Sequence, residues 1–202
     1  MTGPTVVVFA KAPVAGTVKT RLARSIGTAA ATDFYRSTLA TTVARLRGRA
    51  GWSTVLAVTP DSSAAEDALW PGGVARIGQG DGDLGVRMRA WLDRATPDAP
   101  VLVVGSDIPE MTADHVAAGF RAIRATPGGL VFGPAQDGGF WLVGTDRPPP
   151  PGVFDTVRWS SPHALSDTLA NLGAAPVALV DRLHDIDEVD DYRRFMATRG
   201  ET

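Results

Sequence analysis

The sequence predicts an α/β protein, a mostly parallel sheet covered by helices on both faces. Short unbroken apolar runs such as Val6-Val7-Val8-Phe9 and Val101-Leu102-Val103-Val104 read as buried strands. A strand covered on both faces has no reason to alternate. Between such runs lie segments with apolar residues at three-to-four spacing, so strands and helices alternate. The loops that follow several strands carry glycine, aspartate and lysine. Crossover connections bring such loops to one sheet edge, outside the carboxyl ends of the strands, where ligands bind.

Taken in order, the first strand runs through Val6-Phe9 and gives way to a loop, because Pro13 and Gly16 break regular structure. Thr28 to Arg47 reads as a helix, with Ala31, Phe34/Tyr35, Leu39, Val43 and Leu46 on one stripe and Thr28 as a cap. Gly48 and Gly51 stop it. Trp52 to Thr59 is a strand ended by Pro60, and a short capped helix runs from Asp61 or Ser62 to Trp70. Val74 to Ile77 is a short strand. A second glycine-rich loop, Gly78 to Gly85, opens a helix with Leu84, Met88, Trp91 and Leu92 on one face. Val101 to Val104 runs straight into Gly105-Ser106-Asp107-Ile108-Pro109, and a helix spans about Thr112 to Arg124. Leu130 to Phe132 and Phe140 to Val143 are strands around Gly133 to Gly139. Pro148 to Pro151 leans to polyproline II. About fifty residues follow it, too few for a comfortable second domain, so the whole of 1–202 is expected to be one domain. A helix over Ser161 to Leu172, a strand over Val177 to Val180 and a helix over Val189 to Thr198 complete the chain.

Composition excludes several classes. The 202 residues are 44% hydrophobic and 21% charged, as in ordinary globular domains, which is enough for a real core. The formal net charge of -2 gives no global field for nucleic acid, and no nucleic-acid partner is expected. There is no cysteine, so disulfides, thiolate nucleophiles and Cys-ligated zinc are out. No apolar run approaches the roughly 20 residues of a membrane span, and Met1-Thr2-Gly3-Pro4-Thr5 carries no basic leader. The expectation is a cytoplasmic protein with no membrane partner. The oligomeric state is left open, a homodimer included.

The stretch Thr5 to Gly27 organises the chemistry. Lys11, Lys19, Arg21 and Arg24 crowd the loop after the first strand. Cations at that edge suit an anionic ligand, and phosphate is the natural candidate. The spacing fits neither a Walker loop nor G-x-G-x-x-G. The competing account is a solvated basic loop. Lys19 and Arg21 are expected to be exposed without ligand. Asp107, at a strand end, is placed to hold a divalent cation, since Mg²⁺ takes one or two carboxylates plus substrate phosphates; alternatively it caps the next helix. Asp185 and Asp187 flank Ile186 and point the same way if extended, so either could be a second ligand. Asp137-Gly138-Gly139 permits close backbone approach to a ligand or only a tight turn. Trp141 and Trp159 line a pocket or sit in the core.

Several blocks together resemble one bacterial family: FAKAPVAGTVKTRLA, QGDGDLGVRM, GSDIPEMT, GPAQDGGFWLVG, Trp159-Ser160 and DIDEVDD, in that order. The family is that of the nucleotide-diphospho-sugar transferase homologues labelled DUF2064, related to CofC- and MobA-type nucleotidyltransferases. The resemblance implies a single-domain, three-layer α/β/α, Rossmann-like GT-A fold. It implies a nucleotide or nucleotide-sugar on Ala10, Lys11, Gly16, Lys19 and Arg21 of the first loop, with Gln79 and Asp83 from the second. It implies Mg²⁺ or Mn²⁺ at Asp107 with Asp187 or Asp185, and catalytic roles for Lys19, Arg21 and Asp107. A small-molecule acceptor is expected at Asp137, Gly138, Gly139, Phe140 and Trp159. One departure matters: GT-A glycosyltransferases usually carry Asp-x-Asp, whereas Gly105-Ser106-Asp107 holds one acid. The implied activity is glycosyl transfer from a nucleotide-sugar. The lone acid and the Lys-Thr-Arg cations favour nucleotidyl transfer from a triphosphate to a phosphorylated acceptor. A protein that binds nucleotide without turnover is the third possibility.

Overall fold

Residues 3–200 are described by the structure, a computed structural model. One seven-stranded sheet runs through it. The strands are β1 (Thr5–Lys11), β2 (Ser53–Thr59), β3 (Ala75–Gly78), β4 (Val101–Gly105), β5 (Leu130–Pro134), β6 (Phe140–Thr145) and β7 (Val177–Leu179). Their order across the sheet is β3-β2-β1-β4-β6-β5-β7. Every pairing is parallel except those of β6, which runs antiparallel to β4 and to β5. The reason lies in chain length. Only residues 135–139 join β5 to β6, and a parallel return needs a crossover of a dozen residues or more.

The helices are α1 (Thr20–Ile26), α2 (Thr28–Leu46), α3 (Leu84–Leu92), α4 (Ala113–Ala125), α5 (Ala164–Asn171) and α6 (Val189–Gly200). They cover both faces, and the buried residues fall into two clusters accordingly. On one face Tyr35, Leu39 and Val43 of α2 and Val116, Phe120 and Ile123 of α4 pack on Val6, Val8, Leu56, Leu102 and Val104. On the other face Met88, Trp91 and Leu92 of α3 pack with Val7, Ala57, Val103, Phe132 and Val143. Successive strand residues point to opposite faces, so an unbroken run such as Val6-Val7-Val8 feeds both clusters. Each large side chain buried this way contributes about 1.5–3 kcal/mol. The α/β/α layering inferred from unbroken strands is therefore the fold observed.

Two expectations are corrected. Residues 20–26 form α1, where a loop was expected. Gly27 follows with φ 87°, so α1 and α2 meet at a residue only glycine occupies easily. Residues 61–70 form two 3-10 turns, Asp61–Ala65 and Asp67–Leu69, rather than one helix. The proline stretch is tied to the scaffold, the carbonyls of Pro149 and Pro150 accepting hydrogen bonds from the Arg89 guanidinium of α3. At the C-terminus α6 docks on α2 through Phe34, whose ring meets Tyr192 and Phe195 edge-on at 5.1 and 5.9 Å.

Candidate active site

The parallel strands β1, β2, β3, β4 and β5 end on one edge, and antiparallel β6 begins there. The loops that carry Lys19, Gln79, Asp107, Asp137 and Asp187 therefore meet, although they are far apart in sequence. Ala12-N donates to Thr59-O across the β1 and β2 ends, which starts the first loop in a fixed direction. Gly16 turns at φ 81°, and Lys19 itself is held in the left-handed region at φ 47° as the cap of α1. Non-glycine residues pay for that conformation, and it gathers at functional sites.

Lys19 is the centre of the constellation. Its Nζ lies 2.9 Å from Asp107 Oδ2 and 2.7 Å from Asp187 Oδ1. Its side chain is only 4% exposed. Burial disfavours the ammonium, but the two carboxylates outweigh that and raise its pKa above the usual lysine range. Asp107 shows the mirror image: burial pushes its carboxyl up, and the Lys19 ammonium pulls it further down, to a net value below the ordinary range. Arg21, half exposed, reaches Asp187 Oδ2 at 3.3 Å. The expectation that Lys19 stands exposed is thus wrong, while Arg21 does face solvent. Asp107 does not cap α4 either. Thr112 does, its hydroxyl accepting from His115-N while His115 Nδ1 accepts from Thr112-N.

Behind these charges the strand ends are pinned. The Tyr35 hydroxyl accepts from Lys11-N and donates to Lys11-O, both at 3.0 Å. Its one proton being used, Ser106 Oγ donates to it across 3.1 Å. Burial raises the Tyr35 pKa, so the phenol stays neutral. Gln79 is buried. Its amide donates to the carbonyls of Ala10 and Ala57, and its Oε1 accepts from Arg87 at 2.9 Å. Ala10, one of the expected nucleotide contacts, thus presents its carbonyl to Gln79. Asp83 caps α3 by accepting from Val86-N at 2.9 Å, and it lines neither half of the cleft.

The cleft has two halves. One, of about 330 Å³, is lined by Lys11, Lys19, Gln79, Arg87, Ser106 and Asp187. The other, of about 200 Å³, is lined by Asp137, Phe140, Trp141, Trp159, Ser160 and Asp185. Phe9, Leu84, Gly105 and Asp107 belong to both and form the divide. Gly16, Arg21 and Gly138 line neither half. Gly138 turns at φ 88°, and a Cβ there would run into the backbone of Pro162. Its role is to close the β5–β6 connection against the start of α5. Asp137 Oδ1 accepts from Gly139-N at 2.8 Å, which fixes that carboxylate at the mouth.

Of the two acids expected as a second ligand beside Asp107, the structure sets Asp187 next to it and Asp185 apart. Asp185 faces the second half, with Asp137, while Asp107 and Asp187 clasp Lys19. Burial first, and then the carboxylates of Asp137, Asp107 and Asp187, push the Asp185 pKa up to about 6. No group of three or more His, Asp or Glu side chains arranged to hold a metal occurs among the described residues. Arg87, Tyr35 and Ser106 are site residues that sequence reasoning missed. For Arg87 the signal was its place one turn into the helix after a glycine-rich loop. Tyr35 was assigned to the core, where its ring does lie.

The strand ends of this α/β sheet thus carry a cationic half-cleft, divided by an aspartate from an aromatic, acidic half-cleft. The chain belongs to the family described as uncharacterized proteins conserved in bacteria, DUF2064, whose profile matches residues 42–161. That span holds Gln79, Asp107 and Asp137 but neither the first loop nor Asp187. Among solved structures, a candidate nucleotide-diphospho-sugar transferase from Desulfovibrio desulfuricans G20 superposes with a TM-score of 0.86 at 26% identity, over 98% of this chain and 88% of that one. The 4-diphosphocytidyl-2C-methyl-D-erythritol synthase of Anaerococcus prevotii DSM 20548 gives 0.59 at 11% identity, over 98% and 96% of the two chains. Rv0371c of Mycobacterium tuberculosis H37Rv, in complex with manganese, gives 0.53 at 20% identity, over 97% and 98%. The last two show the shared fold alone. No curated protein matches the chain. No helix among the described residues is long and apolar enough to cross a membrane.

Proposed function

We propose that this protein is a cytoplasmic, single-domain transferase that takes a nucleotide-sugar and passes the sugar to a small acceptor. One observation carries the proposal: two half-clefts, one cationic and one aromatic, meet at Asp107. Donor phosphates suit the cationic half, where Lys11 and Arg87 line the wall and Arg21 stands at the rim. The reacting carbon then lies at the divide, and the acceptor enters from the aromatic half. The description of the D. desulfuricans protein, whose likeness extends over nearly all of this chain, supports the same class.

A divalent cation fits the donor half. Asp107 and Asp187 each aim one carboxylate oxygen at the Lys19 ammonium, so an ion held by the pair would take the place of that ammonium and send Lys19 toward the donor phosphates. Two carboxylates plus substrate phosphates are what Mg²⁺ or Mn²⁺ takes. Such an ion, when bound, would neutralise charge on the departing diphosphate. The residues of the chain itself do the rest. Without the ion Lys19 holds the two acids in register, and the Tyr35–Ser106 pair fixes the strand ends that carry Lys11 and Asp107.

A second version, nucleotidyl transfer with loss of pyrophosphate, is favoured by the single acid of Gly105-Ser106-Asp107. The two are separated by the bond that breaks. Incubation with Mg²⁺ or Mn²⁺ and, separately, nucleotide-sugars and nucleoside triphosphates, with mixed small acceptors, is expected to release nucleoside diphosphate from a sugar donor. Chelator and Asp107→Asn should abolish it. Pyrophosphate release from a triphosphate, with every sugar donor silent, would overturn the glycosyl version in favour of the second.

A further inference from the structure

The aromatic half of the cleft has a charge pattern that selects its occupant. Three carboxylates line it, Asp107, Asp137 and Asp185, with the hydroxyl-bearing Ser160 and Ser161. Among the described residues, no lysine, arginine or histidine lines it. The neighbouring Arg158 is committed elsewhere, its Nε and NH2 donating to Asp167 at 2.9 and 2.8 Å. Its walls are aromatic: the rings of Phe140 and Trp159 stand 6.2 Å apart, and Phe154 backs Trp159 at 5.9 Å. Trp159 remains partly exposed to the cavity. The turn that presents it is fixed, with Ser160 in the left-handed region at φ 56° and Ser161 Oγ donating to Arg158-O at 2.6 Å.

A phosphorylated or carboxylated ligand entering this space loses its water and meets like charge on Asp137 and Asp185, Asp107 being paired with Lys19. Each carboxylate within about 4 Å opposes it by roughly 1 kcal/mol at the dielectric of water and more in a partly closed cleft. A cation bound between Asp107 and Asp187 would leave Asp137 and Asp185 uncompensated. A hydroxylated ring has the opposite fit. Its C–H face stacks on the indole of Trp159, and its hydroxyls donate to Asp137, Asp185 and the serines. We propose that this half-cleft binds an uncharged, hydroxyl-rich acceptor, a saccharide or polyol, and rejects phosphate esters and carboxylates. Its role as the acceptor half rests on the transferase function above; the binding preference does not.

Saturation-transfer NMR on the full chain tests the preference, with methyl glucoside, glucose and glycerol against glucose 6-phosphate and glycerol 3-phosphate as probes. The neutral probes should show transfer at millimolar concentration, and their phosphate esters should bind at least about tenfold more weakly, roughly 1.4 kcal/mol. Trp159→Ala should abolish the transfer. The double variant Asp137→Asn, Asp185→Asn should keep neutral binding while the discrimination falls severalfold; retention of Asp137 as Asn preserves the acceptor for Gly139-N. Equal or tighter binding of the esters overturns the proposal, as does silence from every neutral probe. Nucleoside diphosphate with Mg²⁺ is titrated into the same samples. Its failure to bind would sink the transferase function while leaving the saccharide preference standing.

Discussion

Lys19 is where the chemistry and the stability of this protein meet. As a buried ammonium between two aspartates, it is the counter-ion that lets Asp107 and Asp187 stand together at the divide of the cleft. Removing it leaves two carboxylates facing each other without compensation, and breaking a buried pair is costly. Lys19→Met is expected to lower unfolding free energy by about 2–4 kcal/mol in urea denaturation. Arg21→Ala should behave differently. Its pair with Asp187 is half exposed and its loss should cost below about 1 kcal/mol, while nucleotide binding by calorimetry should weaken by roughly 1.5–3 kcal/mol. A stable Lys19→Met protein would mean that the two acids are not held by this ammonium. Unchanged nucleotide affinity in Arg21→Ala would mean that this residue, at the rim, takes no part in nucleotide binding.

At the scale of elements, α3 joins the two half-clefts to the scaffold. Its first turn carries Leu84 on the divide and Arg87 in the donor half, and Gln79 ties Arg87 to the ends of β1 and β2. Asp83 starts the helix by capping it. An N-cap aspartate replaced by alanine costs about 0.5–2 kcal/mol, which in a protein of this size lowers Tm by a few degrees. Asp83→Ala should show that loss in thermal unfolding and leave nucleotide affinity unchanged within about twofold. A larger fall in affinity with Tm intact would return Asp83 to the ligand. The β5–β6 connection is the counterpart on the acceptor side, with Gly138 packed against Pro162 so that Asp137 and Phe140 are presented together.

The whole molecule gathers acids at one edge, and this shapes its response to pH. Asp185, raised to about 6, is ionised at neutral pH against burial and three neighbouring carboxylates. A carboxyl whose folded pKa lies above its unfolded one costs stability at high pH. The cost is relieved as pH falls through about 6 and vanishes below the unfolded value near 4. Asp107 works the other way, its lowered pKa giving stability that is lost in strong acid. Asp185→Asn should therefore stabilise the protein by about 1–3 kcal/mol at pH 7.5 and by less than half as much at pH 4.5. Thermal unfolding at the two pH values reads this directly. An equal gain at both would mean that Asp185 is not strained by charge.

Local sequence determined the alternation of strands and helices, because burial on both faces demands unbroken apolar strands and a helix buries one stripe. It also placed Lys19, Asp107 and Asp137 at a common edge, since parallel strands send their following loops the same way. That β6 turns back, through a connection too short for a crossover, came only from the sheet itself. Tertiary structure alone decided which charges touch. That Lys19 is buried between Asp107 and Asp187, that Asp185 lines the same half of the cleft as Asp137, and that the Tyr35 hydroxyl reaches Lys11 and Ser106 are juxtapositions of residues up to 168 positions apart. No spacing along the chain encodes them. They follow from the twist and order of seven strands and from the angle at which α1, unforeseen as a helix, leaves β1.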